Sequence, residues 1–287
     1  MINRLVCFGD SFTEGEGAWL EKTTEIEKQY EDTSVGRFKV AEFNYQYSWP
    51  KVLGDRLGVK VANLGSCGAS NNYIFNSIFE YDKKHKINDN CLVVVMWSSS
   101  IRDKLPFFPT IFQNHSPIGL GWSLKEIFAT QTIENQEITN FTTRFYKNDK
   151  DKEYIDKNLI PFMSEYFKPF ITQVYDKEYY NLLNFSYIHF LQLFFKFKGC
   201  DYIFIDAFES MNSFGSDDKK WNLINKDNYW GFGETTAWDY LYKVGGDVFE
   251  NLDLSYNPPG QNCHPNRHGY KIIAELIYDF YNKSLSI

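Results

Sequence analysis

Short apolar runs recur along this chain, separated by stretches whose apolar residues fall at helical spacing. The first run, within residues 4–8, predicts a buried strand that stops at Gly9. Ser48 stands where a helix N-cap would, Pro50 falls in the first turn and Gly58 at the end. Between them Trp49, Val52, Leu53 and Leu57 share one face. Residues 59–64 predict a second strand, and helical spacing resumes at Ile74, Phe75, Ile78 and Phe79. Cys91–Trp97 is a strongly apolar third strand and Asp201–Asp206 a fourth. A helix is predicted over 179–197, with Leu183, Tyr187, Leu191 and Phe194 along a stripe. Another is predicted over 266–283, carrying Tyr270, Ile273, Ala274, Ile277 and Tyr281.

Two stretches break the pattern. Residues 14–44 are rich in Glu, Lys and Thr with weak periodicity, and predict an irregular excursion above the sheet. From about 101 to 176 the alternation fails, punctuated by Pro106, Pro109, Pro117, Pro161 and Pro169. That segment reads as a long insertion after the third strand, either a lid or binding wall or a helical elaboration packed on the core. Strands alternating with helices imply a mostly parallel sheet covered on both faces, a three-layer α/β/α arrangement. With no internal repeat, residues 1–287 are expected to form a single domain.

Composition narrows the function classes. Hydrophobic residues make up 43% of the chain, enough for a sizeable core, and the formal net charge of −7 argues against broad nucleic-acid or anionic-membrane binding. No run of about 18 apolar residues predicts a membrane-spanning helix. The first strand begins too soon for a signal peptide, so a cytoplasmic setting is expected. Cys7, Cys67, Cys91, Cys200 and Cys263 are odd in number and lack paired metal spacing. Neither structural zinc nor a disulfide framework is expected, and no cofactor. The abundance of Phe and Tyr is attributed mainly to compositional bias.

Candidate chemistry begins at Gly9-Asp10-Ser11-Phe12. A serine at the C-terminal end of a strand in an α/β sheet points to where such folds bind ligands. Ser11 is therefore the candidate nucleophile, and its own N–H, at the start of the next helix, a candidate oxyanion donor. The candidate base is His264, in His264-Pro265-Asn266 directly before the last helix; Pro265 restrains the loop and Asn266 can cap the helix. His189 and His268 read as packed or exposed side chains.

These blocks, with Asn63-Leu64-Gly65-Ser66-Cys67-Gly68 and Gly269, resemble the SGNH hydrolase superfamily of GDSL-type esterases and lipases. The resemblance implies a flavodoxin-like sheet, Ser11 as nucleophile, His264 as base, and an oxyanion hole with donors from Ser11 and Gly68. Gly65 fits a tight backbone approach or a simple loop. Two blocks depart from the family pattern. Where it ends its third strand in Gly-x-Asn-Asp, this chain has Trp97-Ser98-Ser99-Ser100-Ile101-Arg102, so a hydroxyl, that of Ser99 ahead of Ser98 or Ser100, would replace the asparagine donor. Where the family has an aspartate three residues before the histidine, this chain has Gln261, whose amide oxygen can orient the imidazole but supplies no charge. Losing that charge costs about 10⁴ in rate in a serine protease. Asp206 and Asp253 are candidate substitutes. Asp10, Asn71, Trp97 and Arg102 are candidate substrate-binding residues; Arg102 would bind an acidic group, although a structural salt bridge is the more common use of such a residue.

The resemblance implies hydrolysis of small acyl esters, with acetyl groups on carbohydrate among the substrates, so the expected partner is a small-molecule or glycan ester. The competing class is an SGNH-fold binding or structural protein with weak or no catalysis. A phosphate-binding loop is disfavoured, because Gly9–Gly15 has no suitably placed lysine and carries acids. Oligomeric state is left open.

Overall fold

The computed structural model describes residues 2–18, 33–99, 177–211, 219–245, 247–249 and 264–285. In chain order the elements are β1 (Arg4–Gly9), α1 (Ser11–Glu14), α2 (Thr33–Tyr45), α3 (Trp49–Leu57), β2 (Lys60–Gly65) and α4 (Asn71–His85). There follow β3 (Cys91–Trp97), α5 (Lys177–Lys198), β4 (Asp201–Asp206), β5 (Tyr229–Trp230), α6 (Ala237–Val244) and α7 (Arg267–Leu285). The five strands form one sheet in the order β2-β1-β3-β4-β5, with every pair parallel. This is the flavodoxin-like order. Successive strands are added in opposite directions on either side of β1 and β3, and ligands in such sheets bind outside the carboxyl ends at that reversal.

The sheet is sandwiched because alternate side chains on its inner strands are apolar on both faces. Leu5 and Cys7 of β1, Leu92, Val94 and Met96 of β3, and Ile203 and Ile205 of β4 face one layer. There they pack with Trp49 and Leu53 of α3, Leu241 of α6 and Tyr270, Ile273 and Ile277 of α7. Val6, Phe8, Val93, Val95, Trp97, Tyr202 and Phe204 face the other layer, against Ile74 and Ile78 of α4 and Ile188, Leu191 and Phe195 of α5. The result is the three-layer α/β/α fold.

One prediction fails locally. Residues 33–45, expected to be irregular, form α2. Polar and apolar residues are interleaved through Thr33–Tyr45 rather than gathered into a stripe, so periodicity gave no sign of the helix. Ser48 does stand at the N-cap of α3, but its hydroxyl donates to the Tyr45 carbonyl at 2.8 Å rather than capping. The predicted insertion, residues 101–176, lies outside the described residues. Among the described residues no helix is long and apolar enough to cross a membrane.

Candidate active site

The turn between β1 and α1 is built by close packing. A Cβ on Gly9 would collide with the Thr13 side chain and crowd the Met96 carbonyl. Asp10 caps α1: its Oδ1 accepts from the Phe12 N–H at 3.0 Å, and its Oδ2 accepts from the Ser98 hydroxyl at 2.6 Å. A carboxylate this deeply buried needs such donors. Ser11 then heads α1, where its N–H has no acceptor within the helix. Gly15, in the left-handed region at φ 101°, ends the helix with its N–H on the Ser11 carbonyl.

His264 arrives from the other end of the chain on an anchored loop. Asn266 caps α7, its Oδ1 accepting from the N–H groups of His268 (2.9 Å) and Gly269 (3.0 Å). Its Nδ2 donates to the Asp247 carbonyl at 3.0 Å, its N–H donates to that of Val248 at 3.0 Å, and Pro265 bridges to Phe249. Gly269 permits this approach, since a Cβ there would meet the Val248 carbonyl. So held, His264 Nε2 lies 2.9 Å from Ser11 Oγ across 253 positions of sequence. The Phe12 ring lies beside the imidazole with centroids 5.8 Å apart.

The second block closes over the same turn. Asn63 donates from Nδ2 to the Thr13 carbonyl (2.8 Å) and accepts at Oδ1 from the Gly65 N–H (2.9 Å). The Ser66 N–H donates to the Gly9 carbonyl at 3.1 Å and the Cys67 N–H to Glu14 Oε2 at 2.5 Å. Gly68 follows with φ 73°. Gly65 proves to be a close-approach residue and not a loop filler: a Cβ there would strike the Thr13–Glu14 backbone.

Several candidate residues turn out to be scaffold. Asp10 is spent on Phe12 and Ser98, and Trp97 is fully buried in the core between the sheet and α4 and α5. Asn71 accepts from the Ser98 N–H at 2.9 Å and donates from Nδ2 to the Ser98 and Ser99 carbonyls. All three are buried. The Ser99 hydroxyl donates to Glu209 Oε2 at 2.9 Å, so like that of Ser98 it is engaged by a carboxylate. Asp206 is buried elsewhere, accepting from the Tyr229 hydroxyl at 2.5 Å and the Met211 N–H at 3.2 Å. It does not replace the absent aspartate. Gln261, Arg102, Ser100, Cys263 and Asp253 lie outside the described residues. His268 is exposed, and His189 is packed, stacked on Phe185 with Nδ1 on Gln192 at 2.9 Å.

Two glutamates were not anticipated. Burial pushes the Glu14 carboxyl up to about 7 against the Cys67 N–H bond, with the charges of Glu16 and Asp10 adding to the rise. Glu16 Oε2 lies 3.4 Å from His264 Nε2. The sequence signal for Glu16 was an acid between two glycines just after the serine motif, Gly15-Glu16-Gly17. Cys67 is a free thiol held protonated by burial and by the neighbouring Glu16. Among the described residues no group of three or more His, Cys, Asp or Glu is gathered as metal ligands.

No family model matches this chain, and no curated protein does. Among the solved structures similar to this chain, two match along its length. A member of the lipolytic G-D-S-L family from Veillonella parvula DSM 2008 is 13% identical with 96% of each chain covered and a TM-score of 0.37. A protein assigned to the same family, from Desulfitobacterium hafniense DCB-2, is 13% identical with 99% of each chain covered and a TM-score of 0.31. At these values neither neighbour assigns an activity to this chain.

Proposed function

We propose that this protein is a serine esterase hydrolysing small acyl esters, acetyl groups on carbohydrate among them, through a covalent acyl-enzyme. The observation that carries this is the 2.9 Å contact between Ser11 Oγ and His264 Nε2. That is hydrogen-bond reach for a nucleophile and its base. His264 takes the hydroxyl proton as Ser11 Oγ bonds to the acyl carbon. The imidazolium then gives that proton to the alcohol oxygen as the ester C–O bond breaks. Water repeats the sequence on the acyl-enzyme, releasing the acid and restoring Ser11. The N–H groups of Ser11 and Gly68 are the proposed oxyanion donors.

The third-block donor is the weak point. With both the Ser98 and Ser99 hydroxyls engaged by carboxylates, stabilisation falls to backbone amides, and one absent donor costs about 10²–10³ in kcat. That observation favours a second reading, a binding protein on the same fold with little catalysis. Hydrolysis of p-nitrophenyl acetate separates them. A slow but saturable wild-type turnover, lost in Ser11→Ala and His264→Ala, supports the esterase. Turnover by folded wild type no greater than that of either variant supports the binding protein.

A further inference from the structure

Glu16 is held against the base by its own backbone. Its N–H donates to the Ser11 carbonyl at 3.1 Å and its carbonyl accepts from the Tyr270 hydroxyl of α7 at 2.6 Å. Gly15 and Gly17 flank it at φ 101° and 83°, so the chain folds back over the serine it has just left. The side chain is 43% exposed overall, but Oε2 is turned inward: it is screened from solvent, lies 3.4 Å from His264 Nε2 and has no hydrogen-bond partner among the described residues, while the Cys67 thiol neighbours the same carboxylate. The contact is therefore electrostatic.

We propose that Glu16 is a positioning residue whose carboxylate stabilises the His264 imidazolium during acyl transfer, a role that rests on the assignment of Ser11 and His264 as nucleophile and base. While the ring is neutral it gains little from a nearby anion. Once the Ser11 proton has moved to Nε2, as Oγ bonds to the acyl carbon, the ring carries positive charge at the nitrogen facing Oε2. The interaction is thus stronger in the transition state than in the ground state, which is the condition for raising kcat. Because Glu16 forms no hydrogen bond to Nε2, the new N–H stays available to Ser11 Oγ and then to the leaving alcohol oxygen, which takes the proton as the C–O bond breaks. Gln261, where the family resemblance calls for an aspartate, carries no charge, and Glu16 supplies one at Nε2.

Glu16→Gln keeps the size and removes the charge, whereas Glu16→Asp keeps the charge. Both are compared with wild type in p-nitrophenyl acetate hydrolysis and in the rate of fluorophosphonate labelling, with melting curves to establish that each is folded. The expected result for Glu16→Gln is a fall in kcat of roughly 10- to 100-fold at unchanged KM, a parallel fall in labelling rate, and partial recovery in Glu16→Asp. If wild type labels and turns over while Glu16→Gln keeps its kcat, or Asp restores nothing that Gln loses, this role is overturned and the nucleophile assignment stands. If wild type neither labels nor turns over, both are overturned.

Discussion

Ser98 and Ser99 are neighbours in sequence, and each gives its hydroxyl proton to a different carboxylate. Ser98 donates to Asp10, the residue before the nucleophile, and Ser99 donates to Glu209. Charge-assisted bonds of this kind are about twice as strong as neutral ones, so neither hydroxyl is readily redirected to a developing oxyanion. Ser99→Ala is therefore expected to change kcat by less than about threefold, where removal of a true oxyanion donor costs about 10²–10³. Steady-state kinetics on a chromogenic acetate ester make the comparison. Gly68 stands differently: its φ of 73° is a conformation a side chain would strain.

At the scale of elements, the base is positioned by a helix terminus. Asn266 closes the first turn of α7 with two N–H bonds and ties it to Asp247, two residues after His264. Asn266→Ala removes both functions. It is expected to destabilise the fold by about 1 kcal/mol, read from urea unfolding. It is also expected to lower kcat by more than that loss of stability explains, because the loop carrying His264 loses its tether. The cap was legible in the sequence, since asparagine followed by an apolar helical stripe has few other uses. The strands were legible too, because Cys91–Trp97 and Asp201–Asp206 are buried on both faces and read as continuous apolar runs. The helix α2 was not, because its apolar residues do not gather on one face. Nor were the partners of Asp10, Asn71 and Ser99. Which acceptor a buried hydroxyl or amide finds is decided by strand order, which places β3 beside β1, and no local pattern encodes that.

At the scale of the molecule, two buried acids make stability depend on pH with an unusual sign. Burial raises Asp206 to about 7 despite its bonds from Tyr229, Met211 and Ser210, and burial raises Glu14 to about 7. Between the unfolded carboxylate range, roughly pH 4, and about pH 7 the folded state holds more protons than the unfolded chain. Stability from these groups therefore falls as pH rises through that window. Asp82 works the other way: burial pushes it up, but Lys198 at 2.7 Å and the Ile87 N–H hold it below its usual value, so its contribution is lost only as pH falls further. Thermal melts should show a lower Tm at pH 8 than at pH 5.5, with the slope reduced in Asp206→Asn. A Tm that rises over that interval would contradict the assignment. The sheet order brings Ser11 and His264, from opposite ends of the chain, to the strand-order reversal, and the proposed chemistry depends on that meeting. The most direct test is intact-protein mass spectrometry after exposure to a fluorophosphonate. A single adduct mapped to Ser11, absent in Ser11→Ala and strongly slowed in His264→Ala, is the predicted result. Folded wild type that forms no adduct, or forms it at another residue, would contradict the account.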